Sequence, residues 1–186
     1  MSLDTELFYL LNTSRHPVLD RIIPLFSSQE FIIAFFVALC SLAAIRYGRR
    51  ALLTALIAVI LVAGADFICG QVAKPFFKRP RPYYQLDHLY LRKSGNWHFL
   101  KKPLPLRPRY SLPSCHATNT FAAGLYLALT FPRLAPLSLA LPLLTGYSRI
   151  YGGHHYPGDV LAGYLLGGLL AILAWLLTRN TGRRRS

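Results

Sequence analysis

Between Glu30 and Arg46 the chain carries no charged side chain, and from Ala51 to Ala73 it carries one, Asp66. Three further runs, about His116–Phe131, Leu134–Tyr147 and Val160–Thr178, contain no Asp, Glu, Lys or Arg. A helical crossing of the bilayer core takes on the order of 20 predominantly apolar residues. These runs therefore read as membrane spans, not as the narrow apolar stripes of a soluble bundle. The expected fold class is all-α: an integral membrane protein, a helical bundle of about five transmembrane helices, forming one domain over residues 1–186. Pro136 and Pro142 are tolerable in a membrane helix, where neighbours satisfy the freed carbonyls. Gly163 and Gly167, four residues apart, offer a small-residue face for close packing.

The net charge is +14, from 21 Lys+Arg against 7 Asp+Glu. Because the basic residues lie between apolar runs, the expected partners are the bilayer and a lipid phosphate, not nucleic acid. Nothing implies an obligate protein partner. The first residues hold no basic cluster, so no cleaved signal peptide is expected. Leu3, Leu7, Leu10 and Leu11, with Phe8, fall on one side at helical spacing, and Asp4 and Glu6 occupy the first turn. They predict an N-terminal amphipathic helix, lying in the interface or packed on the bundle. Residues 74–114 are polar and rich in Pro, Lys and Arg without a regular period, and predict an extramembrane loop with at most a short helix. Cys40 and Cys69 fall inside apolar runs and read as small hydrophobic free thiols. Five crossings put that loop and Ser148–Asp159 on one side. Arg46, Arg49, Arg50, Arg133 and Arg183–Arg185 then lie on the other. The positive-inside rule places the first side outside, at the periplasmic face of a bacterial inner membrane.

Ser148–Asp159 holds an arginine, two histidines, an aspartate and three glycines between two apolar runs. Packing gives no reason for such a cluster at a membrane boundary. Two other clusters share its side: Lys74–Pro82, closing the second run, and Pro113–His116, opening the third. Arginine forks and lysine point charges suit an anion; Lys78 and Arg79 read as residues snorkelling to the surface. His155 and Asp159 are four apart, a spacing at which a carboxylate can fix an imidazole tautomer and activate its other nitrogen. A metal set of His154, His155 and Asp159 with His116 is the rival, without a familiar ligand spacing. Cys115, beside His116, is an alternative nucleophile. Asp66 reads as a hydrogen-bonded bundle residue, about 12 Å along the helix from Lys74 and too far for an ion pair. A protein that only binds or moves a phosphate-bearing lipid would need the cations, but not two histidines with a carboxylate.

Together the clusters resemble the type-2 phosphatidic acid phosphatase family, which shares its site with acid phosphatases and vanadium haloperoxidases. The family pattern is Lys-x6-Arg-Pro, then Pro-Ser-Gly-His, then Ser-Arg-x5-His-x3-Asp. Lys74 to Arg81-Pro82 matches the first and Ser148-Arg149 to His155 to Asp159 the third. The second departs only at Cys115, where glycine is usual. The resemblance implies a membrane lipid phosphatase needing neither metal nor cofactor. His155 would form a phosphohistidine, Asp159 would orient it, and His116 would protonate the leaving oxygen and then activate water. Lys74, Arg81, Ser114 and Arg149 would hold the phosphoryl oxygens, with Cys115, Ser148, Gly153 and His154 as supporting positions. Implied substrates are undecaprenyl pyrophosphate, phosphatidylglycerol phosphate, phosphatidic acid or the 1-phosphate of lipid A. The basic segment Arg92–Arg109 would suit a head group with more than one anionic group, with Trp97 packed against it.

Overall fold

The structure, a computed structural model, describes residues 1–107 and 109–179, so Arg183–Arg185 lie outside the described residues. Helix α1 (Leu3–Thr13) opens behind Ser2, whose side chain accepts from the Thr5 N–H, with Asp4 and Glu6 in its first turn. Both features satisfy the exposed N–H groups and dipole of a helix start. Helix α2 (Pro17–Ile22) and a 3-10 turn (Ile23–Ser27) lead to α3 (Gln29–Tyr47), which ends at Gly48. Helix α4 (Arg49–Phe67) runs through a π-helical stretch (Ile68–Ala73) into α5 (Lys74–Phe77), giving 29 helical residues without a break. After a short α6 (Pro82–Gln85) come β1 (Leu89–Lys93) and β2 (Asn96–Leu100). Helices α7 (Cys115–Thr130), α8 (Ala135–Tyr151) and α9 (Pro157–Thr178) complete the described chain.

Among the described residues three helices are long and apolar enough to cross a membrane: α3, the Arg49–Phe77 helix and α9. Their outward faces expose Ile33 and Val37, Leu56 and Val59, and Leu165 and Leu169, as a surface facing lipid requires. Helices α7 and α8, of 16 and 17 residues, are shorter than the other three. Helix α7 is central, packed against α4, α8 and α9. Gly163 and Gly167 face it so closely that a Cβ would lie 2.7 Å from the Ser114 carbonyl oxygen and 2.4 Å from that of Thr118. The small-residue face therefore packs within the chain. Its consequence for the site is direct, because the Ser114 N–H donates to the Asp159 carbonyl at 2.9 Å.

Two sequence expectations are overturned here. The segment after Lys74 is not irregular: β1 and β2 form an antiparallel hairpin turning at Ser94 and Gly95, both with positive φ. Leu89 and Leu91 point inward on alternate positions, but five residues are too few for that period to stand out among the polar residues around it. Cys69 is not free, and neither is Cys115. They form a disulfide with Cα atoms 5.7 Å apart, which also removes Cys115 as a nucleophile. Only the packing of the π-helical stretch against the start of α7 brings the two sulfurs together.

Helix α1 docks on the end of the bundle that carries the hairpin. Asn12 is fully buried, donating to the carbonyls of Tyr90 and Tyr151 and accepting from the Tyr90 N–H. Leu3, Leu7 and Leu10 remain exposed on its outer face. Beyond α1, the Arg15 guanidinium lies 3.5 Å from the Trp97 ring centre and pairs with Asp20 at 2.7 Å. The Trp97 indole N–H donates to the Asp20 carbonyl. Trp97 thus clamps the hairpin to the α1–α2 connection and is not presented to a head group, as the sequence had led us to expect.

Candidate active site

Helix α8 ends at Tyr151, and the chain folds back so that the N–H groups of His154 and His155 both donate to the Arg149 carbonyl, at 3.0 and 3.3 Å. Gly153 makes that reversal with φ +79, pressed against β1 where a Cβ would stand 2.3 Å from the Tyr90 carbonyl oxygen. Only glycine meets both conditions. Pro157 then starts α9, and Asp159 Oδ2 accepts from the Tyr156 N–H at 2.8 Å in a capping box. His155 thus precedes the helix instead of lying on its first turn. The turn nevertheless brings its Nδ1 to 3.5 Å from Asp159 Oδ2, with the two side chains 2% and 0% exposed and no hydrogen bond formed between them.

Asp159 has a second partner that the sequence reading assigned elsewhere. Arg79 Nη1 donates to Asp159 Oδ1 at 2.9 Å, and its Nη2 pairs with Asp4. Asp4 in turn accepts from the Gly158 N–H at 2.7 Å. The Arg79 guanidinium also lies 4.0 Å from the Tyr156 ring centre, and buried Ser111 holds the Arg79 carbonyl through its N–H and hydroxyl. Arg79 is therefore no snorkelling surface residue but the counter-charge of a buried carboxylate. Burial works against its charge, but Asp159 and Asp4 outweigh it and raise its pKa.

Lys74, at the last turn of the long helix, Arg81, capping α6, and Arg149, near the end of α8, act electrostatically on His155 and on His116. His155 is held well below the ordinary histidine range, by burial first and then by Arg81, Arg149 and Lys74. Arg81 Nε, Arg149 Nε and Ser114 Oγ are buried and have no hydrogen-bond partner among the described residues. Burying a polar group unsatisfied costs about 1–3 kcal/mol, so two such arginine donors acting on His155, with the Ser114 hydroxyl beside the backbone of Asp159, describe a site built for an anion with several acceptor oxygens. The backbone of Ser27 lies close enough to His116, on the first turn of α7, to act on it electrostatically. The Ser27 hydroxyl bonds Ser148 Oγ at 2.9 Å. The 3-10 turn before α3 is thus part of the site wall, and no motif marked it.

The structure therefore gathers Lys74, Arg81, Ser114, His116, Arg149, His155 and Asp159 at one end of the bundle. Of the supporting positions, Cys115 lies in the disulfide and Gly153 in the reversal. His154 stands aside, buried next to the Arg92 backbone and edge-on to Tyr83. Among the described residues no group of three or more His, Cys, Asp and Glu converges in a way that could hold a metal ion, so the metal set of His154, His155, Asp159 and His116 does not assemble.

Known proteins are similar to this chain. The lipid A 4′-phosphatase of Bacteroides thetaiotaomicron is 27% identical over 193 residues, covering 98% of this chain and 80% of that protein. The undecaprenyl-diphosphatase of Sulfolobus acidocaldarius is 27% identical over 172 residues, covering 92% and 76%. The crystal structure of Aquifex aeolicus LpxE has the same fold, with a TM-score of 0.69 at 23% identity over 95% of this chain and 96% of that one. The match to the PAP2 superfamily runs over residues 51–183, taking in the cation ring and both histidines, and this integral membrane protein belongs to that superfamily.

Proposed function

We propose that this chain hydrolyses a phosphate ester or pyrophosphate of a membrane lipid through a phosphohistidine. The observation that carries the reading is the set of unpartnered buried donors, Arg81 Nε and Arg149 Nε on the arginines that act on His155 and Ser114 Oγ next to Asp159. With Nδ1 turned to Asp159, Nε2 of His155 attacks phosphorus. The bond to the leaving oxygen breaks and His116 gives that oxygen a proton. His116 then takes a proton from water, which attacks the phosphohistidine and frees phosphate and His155. Lys74, Arg81, Arg149 and Ser114 neutralise the phosphoryl oxygens, and positioning plus charge is most of what phosphoryl transfer asks of a protein. The names of the relatives favour lipid A phosphates and undecaprenyl diphosphate among the candidate lipids.

The experiment is phosphate release by detergent-purified protein in EDTA, from undecaprenyl pyrophosphate, lipid A, phosphatidylglycerol phosphate and phosphatidic acid. Release is expected from at least one lipid. Lipid bound but never cleaved would favour a binding protein, and loss of release in EDTA would require a metal.

The same reading sets a pH profile. The pKa of His155 is depressed from its ordinary 6.5, so the native state binds fewer protons than the unfolded chain just below that pH. The nucleophile stays neutral, and kcat/KM is expected to fall on the acid side only below pH 6.5. Stability contributed by His155 is likewise present above 6.5 and lost as pH falls toward the folded pKa. An acid limb centred at or above 6.5 would refute a neutral buried His155.

We further propose that the site opens on the outer, periplasmic face. Arg46, Arg49, Arg50 and Arg133 all lie at the opposite ends of the helices, and a disulfide beside the site suits an oxidising compartment. An alkaline phosphatase reporter, active only outside the cytoplasm, is expected to be silent when fused to the C-terminus. An active fusion would invert the orientation.

A further inference from the structure

Asp66 has no task in this reaction, yet it is an exposed acid on a helix that faces lipid. Such a position is costly and marks function more often than packing. Its Oδ1 accepts from Asn119 Nδ2 at 2.7 Å, while its second oxygen has no partner among the described residues. No ion pair joins it to Lys74, although it is near enough to act on that lysine electrostatically. The ground around it is open. A Cβ added at Gly64 or Gly70 would meet nothing within 4 Å. Phe67 and Val72, nearby on the same helix, expose apolar surface.

The place of Asn119 gives this acid a direction. It lies one turn along α7 from His116, about 4.5 Å further from the site at the rise of an α-helix. His116 is the group that hands a proton to the oxygen leaving with the lipid. The atoms that follow that oxygen must pass from the cation ring toward the bilayer, and the bonded pair Asp66 and Asn119 lies on that side of Lys74 and His116, further along the same two helices. A free carboxylate oxygen there is an acceptor waiting for a donor.

We propose that Asp66, oriented by Asn119, determines specificity by accepting a hydrogen bond from an N–H or O–H group of the lipid close to the scissile phosphate. The favoured substrates are phosphorylated lipids with such a donor near the phosphate, for example on a sugar, an amide-linked chain or a hydroxylated chain. A polyprenyl chain offers no donor there, and neither does a diacylglycerol ester. The inference rests on the phosphatase reading above and names the substrate class for the same site.

The test compares Asp66→Asn with the unaltered full-length protein on lipid A, which carries sugar, amide and hydroxyl donors, and on undecaprenyl pyrophosphate and phosphatidic acid, which carry none beside the phosphate. Asparagine keeps the size and the oxygen that accepts from Asn119, but presents an amide N–H group where the free oxygen stood. The unaltered protein is expected to prefer lipid A. In the variant kcat/KM on lipid A should fall about tenfold or more, the loss that follows when a hydrogen bond to a charged group is removed. On the donor-free lipids it should change less than about threefold. The ratio is read within one preparation, so a smaller folded fraction cancels, and Asn119→Ala gives a second route to the same loss. Equal falls on all lipids would make Asp66 a partner of Lys74 and overturn the proposal. An unchanged ratio, or an unaltered protein that prefers the donor-free lipids, would do the same. If the unaltered protein releases phosphate from none of them, the phosphatase reading itself fails and takes this inference with it.

Discussion

His155→Ala is expected to lower phosphate release by at least about 10⁴-fold, the order seen when a covalent nucleophile acting as part of a unit is removed. Lipid binding should change little, because the cations and the unpartnered donors of Arg81, Arg149 and Ser114 belong to other elements. The imidazole itself contributes no charge to that ring, being neutral in its buried setting. The comparison of turnover with binding therefore isolates chemistry from affinity. Single-turnover assays at saturating lipid, with binding measured on the same variant, would check it. A variant that keeps more than about a tenth of the turnover would show that His155 is not the nucleophile, since the cation ring alone supplies no covalent step.

Arg79→Ala is expected to have the largest effect on stability. Asp159 is fully buried and Arg79 is 28% exposed, with 2.9 Å between them. Truncating one partner of a buried pair leaves an uncompensated charge and costs about 3–5 kcal/mol; partial exposure of the arginine puts this case near about 3 kcal/mol. Turnover should also fall about 10²-fold, because Asp159 loses the contact that holds it toward His155. Asp4→Ala is the control. It removes the outer end of the chain of charges, leaves the Arg79 to Asp159 pair intact, and should cost about 1 kcal/mol or less. Thermal unfolding in detergent and kcat on the preferred lipid would measure both. Equal effects of the two substitutions would mean that Arg79 serves α1 docking and not the site.

The contrast between these residues shows what the sequence carried. His155 and Asp159 are four apart, and that spacing pointed to their meeting, although the reversal before α9 and not a shared helical turn brings them together. Arg79 has no such local relation to either of its partners. Asp4 lies at the far end of the chain and Asp159 on the last helix, so nothing in the run Lys74–Pro82 separates Arg79 from the surface cation beside it, Lys78. Ser27, which backs His116, sits in a connection with no motif, and Asn119 looks like any polar residue on a membrane helix until Asp66 is found against it.

By itself the sequence determined the membrane bundle, the cation ring and the histidine pair, because uncharged runs and motif spacings are local properties that survive in one dimension. Five residues of alternating Leu89 to Lys93 were too short a signal, and the hairpin was legible only once β2 paired with it. The rest was decided by packing. Helices α7 and α9 meet at near backbone contact over Gly163 and Gly167. That contact fixes where Ser114 and His116 stand relative to Asp159. The same seating of α7 joins Cys69 to Cys115 and Asp66 to Asn119. A disulfide, an ion-pair chain and a polar pair in the membrane all depend on distances between segments far apart in the chain, and those distances exist only after the helices have packed.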